Sequence, residues 1–212
     1  MQAVTGLRER KKSQTRVVIA ETAAELFRRH GFDAVTVESV AQAAGVSKKT
    51  VFNYFPTKED LVFDRTEDRL SGLLAAVTER DEQTTVLESF RTLVLAQSNQ
   101  LSRLRDEMAD GSDGFLDLVR RNPSLQRRIH EINADLTRQL AAALAAEAGT
   151  PADDPLVLVV AGTLIGAQRA MYLRLRELAA RPTSDAWVVR QHRRDTNRIF
   201  DQLRDGLSTF PS

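Results

Sequence analysis

Apolar residues recur every three or four positions along the whole 212-residue chain, and no stretch alternates as a strand would. The spacing predicts a first helix over residues 14–30, with Val17, Ala20, Ala24 and Phe27 on one face and Gly31 as its cap. Two short helices come close behind. Thr36 caps one whose stripe is Val37, Val40, Ala41 and Ala44, ended by Gly45, and Ser47 caps the next. Val35 with Val40, and Val46 with Val51, stand where hydrophobic staples form. After the break at Pro56, Thr57 and Asp60 make a capping-box pattern opening a helix over 57–80. Helices are also predicted over 84–109, 115–121, 123–148, 155–180 and 184–207. They are separated by a Gly-rich break at 111–114, by Asn122-Pro123, by Gly149 with Asp154-Pro155, and by Pro182. The fold class is all-α, with about nine helices.

Composition narrows the functional classes. Apolar residues at 42% and charged residues at 28% describe an ordinary globular chain, and aromatics at 6% favour packed helices over sheets. Cysteine is absent, which removes disulfides and thiolate metal sites. His30 reads as a helix-end residue, while His130 and His192 fall on charged helical faces without a partner at metal-ligand spacing. Asp153-Asp154 reads as a cap. There is no phosphate-binding glycine loop, nucleophile elbow or dinucleotide fingerprint. Neither catalysis, a cofactor nor a metal is expected. Residues 1–6 lack the pattern of a signal peptide, and the longest nearly apolar run, 156–167, is followed by Gln168 and Arg169. That run is shorter than the ~20 residues a membrane span needs, so a cytoplasmic protein is expected.

Charge is informative by segment. The net charge is +1, yet residues 1–60 carry 10 basic and 7 acidic side chains and hold all five lysines: Lys11, Lys12, Lys48, Lys49 and Lys58. The cation-dense opening around Arg8, Arg10, Lys11, Lys12 and Arg16 is either a solvated tail or an arm drawn to a phosphate backbone. The helices beyond the arm favour the second reading. The two short helices joined by Gly45-Val46-Ser47 fit a helix-turn-helix over 36–55. At 100° per residue, Val51 and Phe55 turn inward while Lys49 and Asn53 point away, flanked by Thr50 and Phe52. Asn can bond adenine through two hydrogen bonds, Lys can reach guanine acceptors, and a Thr methyl can meet a thymine methyl. Beside the arm and Lys58, this face reads as a DNA-reading surface rather than a plain polar one.

The stretch 35–61, VTVESVAQAAGVSKKTVFNYFPTKEDL, resembles the DNA-binding signature of the TetR family of bacterial transcriptional regulators. The likeness covers about residues 14–74: an apolar-Thr start, the Ala-x-x-Ala-Gly-Val-Ser turn, the Thr-apolar-aromatic-x-aromatic-Phe helix, and the Lys-Glu-Asp-Leu start of the next element. The resemblance implies that Thr36 and the Ser47-capped helix approach the duplex. It further implies that Lys48, Lys49, Thr50 and Asn53 face the major groove, and that Tyr54 and Lys58 hold the backbone. Phe52 replaces the family's usual Tyr, and Lys49 stands where a small residue or Pro is common.

The resemblance divides the chain into a basic arm with a three-helix DNA-binding domain, 1–74, and a helical ligand-binding and dimerisation domain, 75–212. Gly162, Gly166 and Ala170 fall four apart in an apolar run, a spacing that lets two helices approach across a dimer interface. Trp187 and Phe200 on the last helix are candidates for the rest of it. Phe90, Leu93, Met108, Phe115, Leu118, Leu164 and Met171 are candidate walls of an apolar effector pocket, with Gln168 or Arg169 for a polar end. The expected partners are an inverted-repeat operator, a small hydrophobic effector and a second copy of the chain, with no membrane. The function implied is a repressor released from DNA by that effector. The rivals are a helical small-molecule-binding protein without DNA-binding activity and a helical enzyme.

Overall fold

The computed structural model describes residues 2–64, 66–81, 83–109 and 115–206, with side chains at 10–64, 71–81, 83–106, 108 and 117–206. Among them every regular element is helical: α1 (Gln2–His30), α2 (Val37–Ala43), α3 (Lys48–Tyr54), α4 (Thr66–Thr78), α5 (Val86–Ala96), α6 (Leu101–Ala109), α7 (Phe115–Arg121), α8 (Pro123–Ala148), α9 (Pro155–Ala179) and α10 (Asp185–Asp205). Short 3-10 turns span Glu59–Leu61 and Gln97–Gln100. The expected Gly-rich break at 111–114 lies outside the described residues.

Contacts group the chain into two compact units. The first is Met1–Thr66 with Phe115–Ile129, and the second is Glu67–Gly114 with His130–Ser212. In the first unit α1 begins at Gln2 rather than near residue 14, since Leu7 to Lys12 are good helix formers with no breaker among them. Its inward face is Ile19, Ala20, Ala23 and Phe27, while Val17 and Ala24, expected inside, are exposed. The register is rotated because α2 and the turn after α3 dock on that side. The caps are as expected. Thr36 Oγ1 accepts from Ser39 N at 3.0 Å, Ser47 Oγ accepts from Thr50 N at 3.0 Å, and Val35, Val40 and Val51 are buried. The helix expected over 57–80 is interrupted. Thr57 and Asp60 do cap each other's backbone, but only over one 3-10 turn. The chain then turns Phe63 into the core, and Arg16 of α1 binds the Asp64 carbonyl at 2.9 Å. The other carboxylate oxygen of Asp60 accepts from Arg128 Nε at 2.7 Å, fastening the start of α8 to this unit.

In the second unit α5, α9 and α10 pack on one another. The helix expected over 84–109 splits into α5 and α6 at Gln97-Ser98-Asn99-Gln100, where Ser and Asn are weak helix formers and Ser98 Oγ donates to the Leu95 carbonyl. Leu101, Leu104, Leu175, Leu178, Ala179 and Val188 form a shared core with Met108 and Trp187 packed against it. Ion pairs join Arg91 to Asp201 at 2.8 Å and Arg174 to Asp195 at 2.9 Å. Asp154 caps α9 and Pro123 opens α8 as expected, whereas Ser184, expected as the first residue of the last helix, is instead the cap of α10. By length and composition α9 could cross a bilayer, but its inward face is packed into the protein.

Candidate nucleic-acid interface

Three features hold α3 in place. Gly45, with φ +68, makes the left-handed turn after α2 that any larger residue would strain. Val51 and Phe55, 0% and 1% exposed, anchor the helix from below. Arg16 reaches over from α1, donating to the Tyr54 carbonyl at 3.1 Å and the Asp64 carbonyl, and its guanidinium lies 4.6 Å from the Phe55 ring centre. This cation of the basic arm is thus an internal staple. Arg10, Lys11 and Lys12 are exposed along the helical extension of α1.

The opposite side of α3 is open. Lys48, Lys49, Phe52 and Asn53 are exposed, and Phe52, at 42%, is the one exposed Phe, Tyr or Trp among the described side chains. Thr50 is half-buried, with its hydroxyl 2.8 Å from Ser47 Oγ. Lys48 Nζ is 3.0 Å from Glu38 Oε2, an exposed pair that links α2 to α3. Tyr54 is half-buried at the helix end. Lys58 lies over the Phe32 ring, 4.3 Å from its centre, and donates to the Asp33 carbonyl at 3.4 Å. It is a fixed cation rather than a free tether. Thr36, Ser47 and Lys58 each support the local fold, the first two as helix caps and the third against Phe32 and Asp33.

The residues expected around an effector separate. Phe90, Leu164, Gln168 and Met171 are buried in the second unit, and Leu93 is half-buried with its Cδ1 against Gly72. Met108 packs on the α6–α9–α10 core. Arg169 faces solvent, so of the two polar candidates only Gln168 turns inward. Leu118 belongs to the first unit, and the Phe115 side chain lies outside those described. An open cleft of about 550 Å³ in the second unit is lined instead by Val77, Arg80, Ala143, Ala146 and Glu147, with Arg80 paired to Glu147.

The candidate interface residues also separate. Gly162 is half-buried facing Thr137 of α8, whereas a side chain at Gly166 would meet nothing within 4 Å. Four residues rise about 6 Å along the helix, so one turn on from Gly162 the Thr137 side chain is out of reach. Ala170 is exposed. Trp187 packs on the internal core and Phe200 is wholly buried beside Arg91, so both work within the chain. Missed from the sequence is an apolar stripe on α9: Leu156, Val159, Val160 and Leu173 are exposed, Leu156 by 71% and Val159 by 64%. The unbroken hydrophobicity of 156–161 was its only signal.

His192 is a correction. It is 1% exposed rather than on a charged face, in a buried row with Val188, Thr196 and Phe200 at four-residue spacing. That spacing was readable, but the flanking Arg190, Arg193 and Arg194 masked it. Burial pushes the imidazole below its ordinary 6.5, partly offset by the Asp195 carboxylate.

Comparison with known proteins bears on both units. Residues 19–64 match the bacterial regulatory proteins of the tetR family, and residues 84–208 match the MftR C-terminal domain. The TcmR transcriptional regulator of Streptomyces glaucescens is 31% identical over 179 residues, covering 80% of this chain and 78% of that protein. MftR of Mycobacterium tuberculosis, described as a mycofactocin biosynthesis transcriptional regulator, is 26% identical over 77% of this chain and 80% of its own length. A TetR-family regulator structure from Streptomyces coelicolor aligns over 89% of this chain and 96% of its own, at 23% identity and a TM-score of 0.48.

Proposed function

Because the chain belongs to the TetR family of bacterial DNA-binding transcriptional regulators, we propose that it acts as a dimeric repressor released from its operator by a small, mostly apolar effector. The observation that carries the DNA-reading role is the two-sidedness of α3. Val51 and Phe55 are sealed in the core while Lys49, Phe52 and Asn53 are exposed side by side. Lys48, Lys49, Thr50 and Asn53 face the major groove, with Asn53 and Lys49 reading base edges, Phe52 adds apolar contact, and Tyr54 and Lys58 hold phosphates. The exposed cations Arg10, Lys11 and Lys12 extend the electrostatic footprint. Selection from a random duplex pool by the full chain tests this. An enriched inverted repeat is expected. Equal binding to every duplex at low salt would favour the rival, a helical small-molecule-binding protein that does not read DNA.

The dimer face proposed is the exposed stripe of α9: Leu156, Val159, Val160, Gly166, Ala170 and Leu173. Apolar side chains so far out of the core favour a second copy, and Gly166 leaves room for close approach. The face is redrawn from the sequence expectation, since Gly162, Trp187 and Phe200 are used within the chain. Two α3 helices related by a two-fold axis would meet successive major grooves.

The effector site we propose lies among α5, α9 and α10; the burial there of Phe90, Gln168 and Met171, three of the candidate pocket residues, supports it. An effector shifts the DNA-binding equilibrium only by binding one state better than the other. The continuous α8 supports a path for that shift, because its first turns are pinned to Asp60 by Arg128 and the rest belongs to the second unit. A cytoplasmic location follows from the same proposal.

A further inference from the structure

His192 and Thr196 stand one turn apart on the inward side of α10, 1% and 0% exposed, between the wholly buried Val188 and Phe200. Buried polar groups are nearly always hydrogen-bonded, and each exception calls for a partner not yet in place. Neither ring nitrogen of His192 makes a well-formed hydrogen bond, and Thr196 Oγ1 has none. Both ends of the Gln97 amide are likewise unpaired. These side chains come from neighbouring elements: α10 packs on α5 and α9, and the turn carrying Gln97 continues from α5 and packs on α9. The imidazole lies against the α9 backbone at Met171. Apart from Gln168 and Arg176, the deeply buried side chains nearby in these helices are apolar, among them Phe90, Val94, Met171 and Leu175.

The site offers hydrogen bonds, and the buried charge on α9, Arg176, reaches the Tyr172 hydroxyl at 3.4 Å. A neutral imidazole donates from one nitrogen and accepts at the other, and a hydroxyl does both. An anionic ligand would enter beside Asp195. A cationic one would find that carboxylate already occupied, by Arg174 Nε at 2.9 Å and Gln191 Nε2 at 3.0 Å. We propose that His192 and Thr196, with the Gln97 amide, form the polar subsite of the effector pocket. They take an uncharged group that both donates and accepts hydrogen bonds, such as the hydroxyl of an apolar ring compound. This rests on the effector-responsive function proposed above.

The test uses thermal melts and titrations of the full chain with three probes of one shape: 2-naphthol, 2-methylnaphthalene and 2-naphthoate. Wild type is expected to bind 2-naphthol about tenfold more tightly than 2-methylnaphthalene, the worth of one or two hydrogen bonds, and to ignore 2-naphthoate. In His192→Leu and in Thr196→Val the naphthol preference should vanish while binding of the methyl probe persists. Both variants should melt no lower than wild type in the absence of probe, because an unpaired buried polar group has been removed. Equal binding of naphthol and methylnaphthalene by wild type overturns the proposal. So does a naphthol preference that survives in both variants. A preference for naphthoate overturns it as well, assigning the pocket to a cation such as the buried Arg176. A chain that fails these titrations yet selects an inverted-repeat duplex keeps its function as a regulator and loses only this subsite.

Discussion

Asn53 and Phe52 sit side by side on the exposed side of α3 and make different demands on a base pair. Asn53→Ala should cost about 1–3 kcal/mol on the selected operator and relax preference at one position, measured by anisotropy against single-base variants. A uniform loss on all sequences would move Asn53 to the backbone. Phe52 has no hydroxyl, so its contact can only be apolar. Replacing the thymine it covers with deoxyuridine removes one methyl, which should weaken wild type and leave Phe52→Ala unaffected. Both residues were legible in the sequence, because the inward pair Val51 and Phe55 defines which side is outward. Arg16 was not. Its two carbonyl partners lie 38 and 48 residues away, a distance no local pattern encodes. Arg16→Met leaves those carbonyls unpaired and should lower the stability of the first unit by about 1–3 kcal/mol in chemical denaturation. Arg16→Lys should restore little of it, since an ammonium cannot fork to two acceptors and cover a ring at once.

The helices themselves record which signals are local. Caps at Thr36, Ser47 and Asp154 appear where the sequence places them, because a side-chain oxygen and an N–H two or three residues on are all a cap requires. The interruptions at 59–64 and 97–100 were not legible in the periodicity, which continues through both. The first is decided by Phe63 and Arg16, the second by the weak helix formers Ser98 and Asn99 together with packing of the Gln97–Gln100 turn against α9. Burial of one face of α10 carries a pH dependence. In the unfolded chain His192 protonates through its ordinary 6.5, whereas the folded protein holds it neutral to lower pH. The unfolded state therefore binds more protons below that value. Stability should be full above pH 6.5 and fall as pH drops, by at most about 1.4 kcal/mol per unit. Melting temperatures at pH 7.5, 6.5 and 5.5 should show the decline in wild type, and His192→Leu should flatten it. An equal slope in the two proteins would assign the decline to other groups.

At the scale of the whole molecule, the exposed stripe of α9 sets the expected assembly. Val159→Glu with Leu173→Glu puts charges on solvent-facing positions, so helix content should be unchanged. Sedimentation should nevertheless find a monomer, and operator affinity should fall with the lost second half-site. Gly166→Leu should act in the same direction, while Gly162→Ala should be tolerated, since its added carbon meets only Thr137 Cγ2 at 4.0 Å. A double variant that stays dimeric would remove α9 from the interface.

By itself the sequence determined the helical class, the caps at Thr36, Ser47 and Asp154, the helix-turn-helix and the outward identity of Lys49 and Asn53. Each of these depends on residues within one or two turns of each other, where 3.6-residue periodicity and capping chemistry are decisive. Tertiary structure alone decided which apolar residues are core and which are surface. Val17 and Ala24 fit the periodic face of α1 yet are exposed, Phe200 fits an interface yet is buried, and His192 sits among arginines yet is sealed. An amphipathic pattern fixes a stripe only to within about 100°, and a shift of one residue turns a helix by as much. Which part of the stripe is covered depends on the neighbouring helices, and those are brought together from distant parts of the chain.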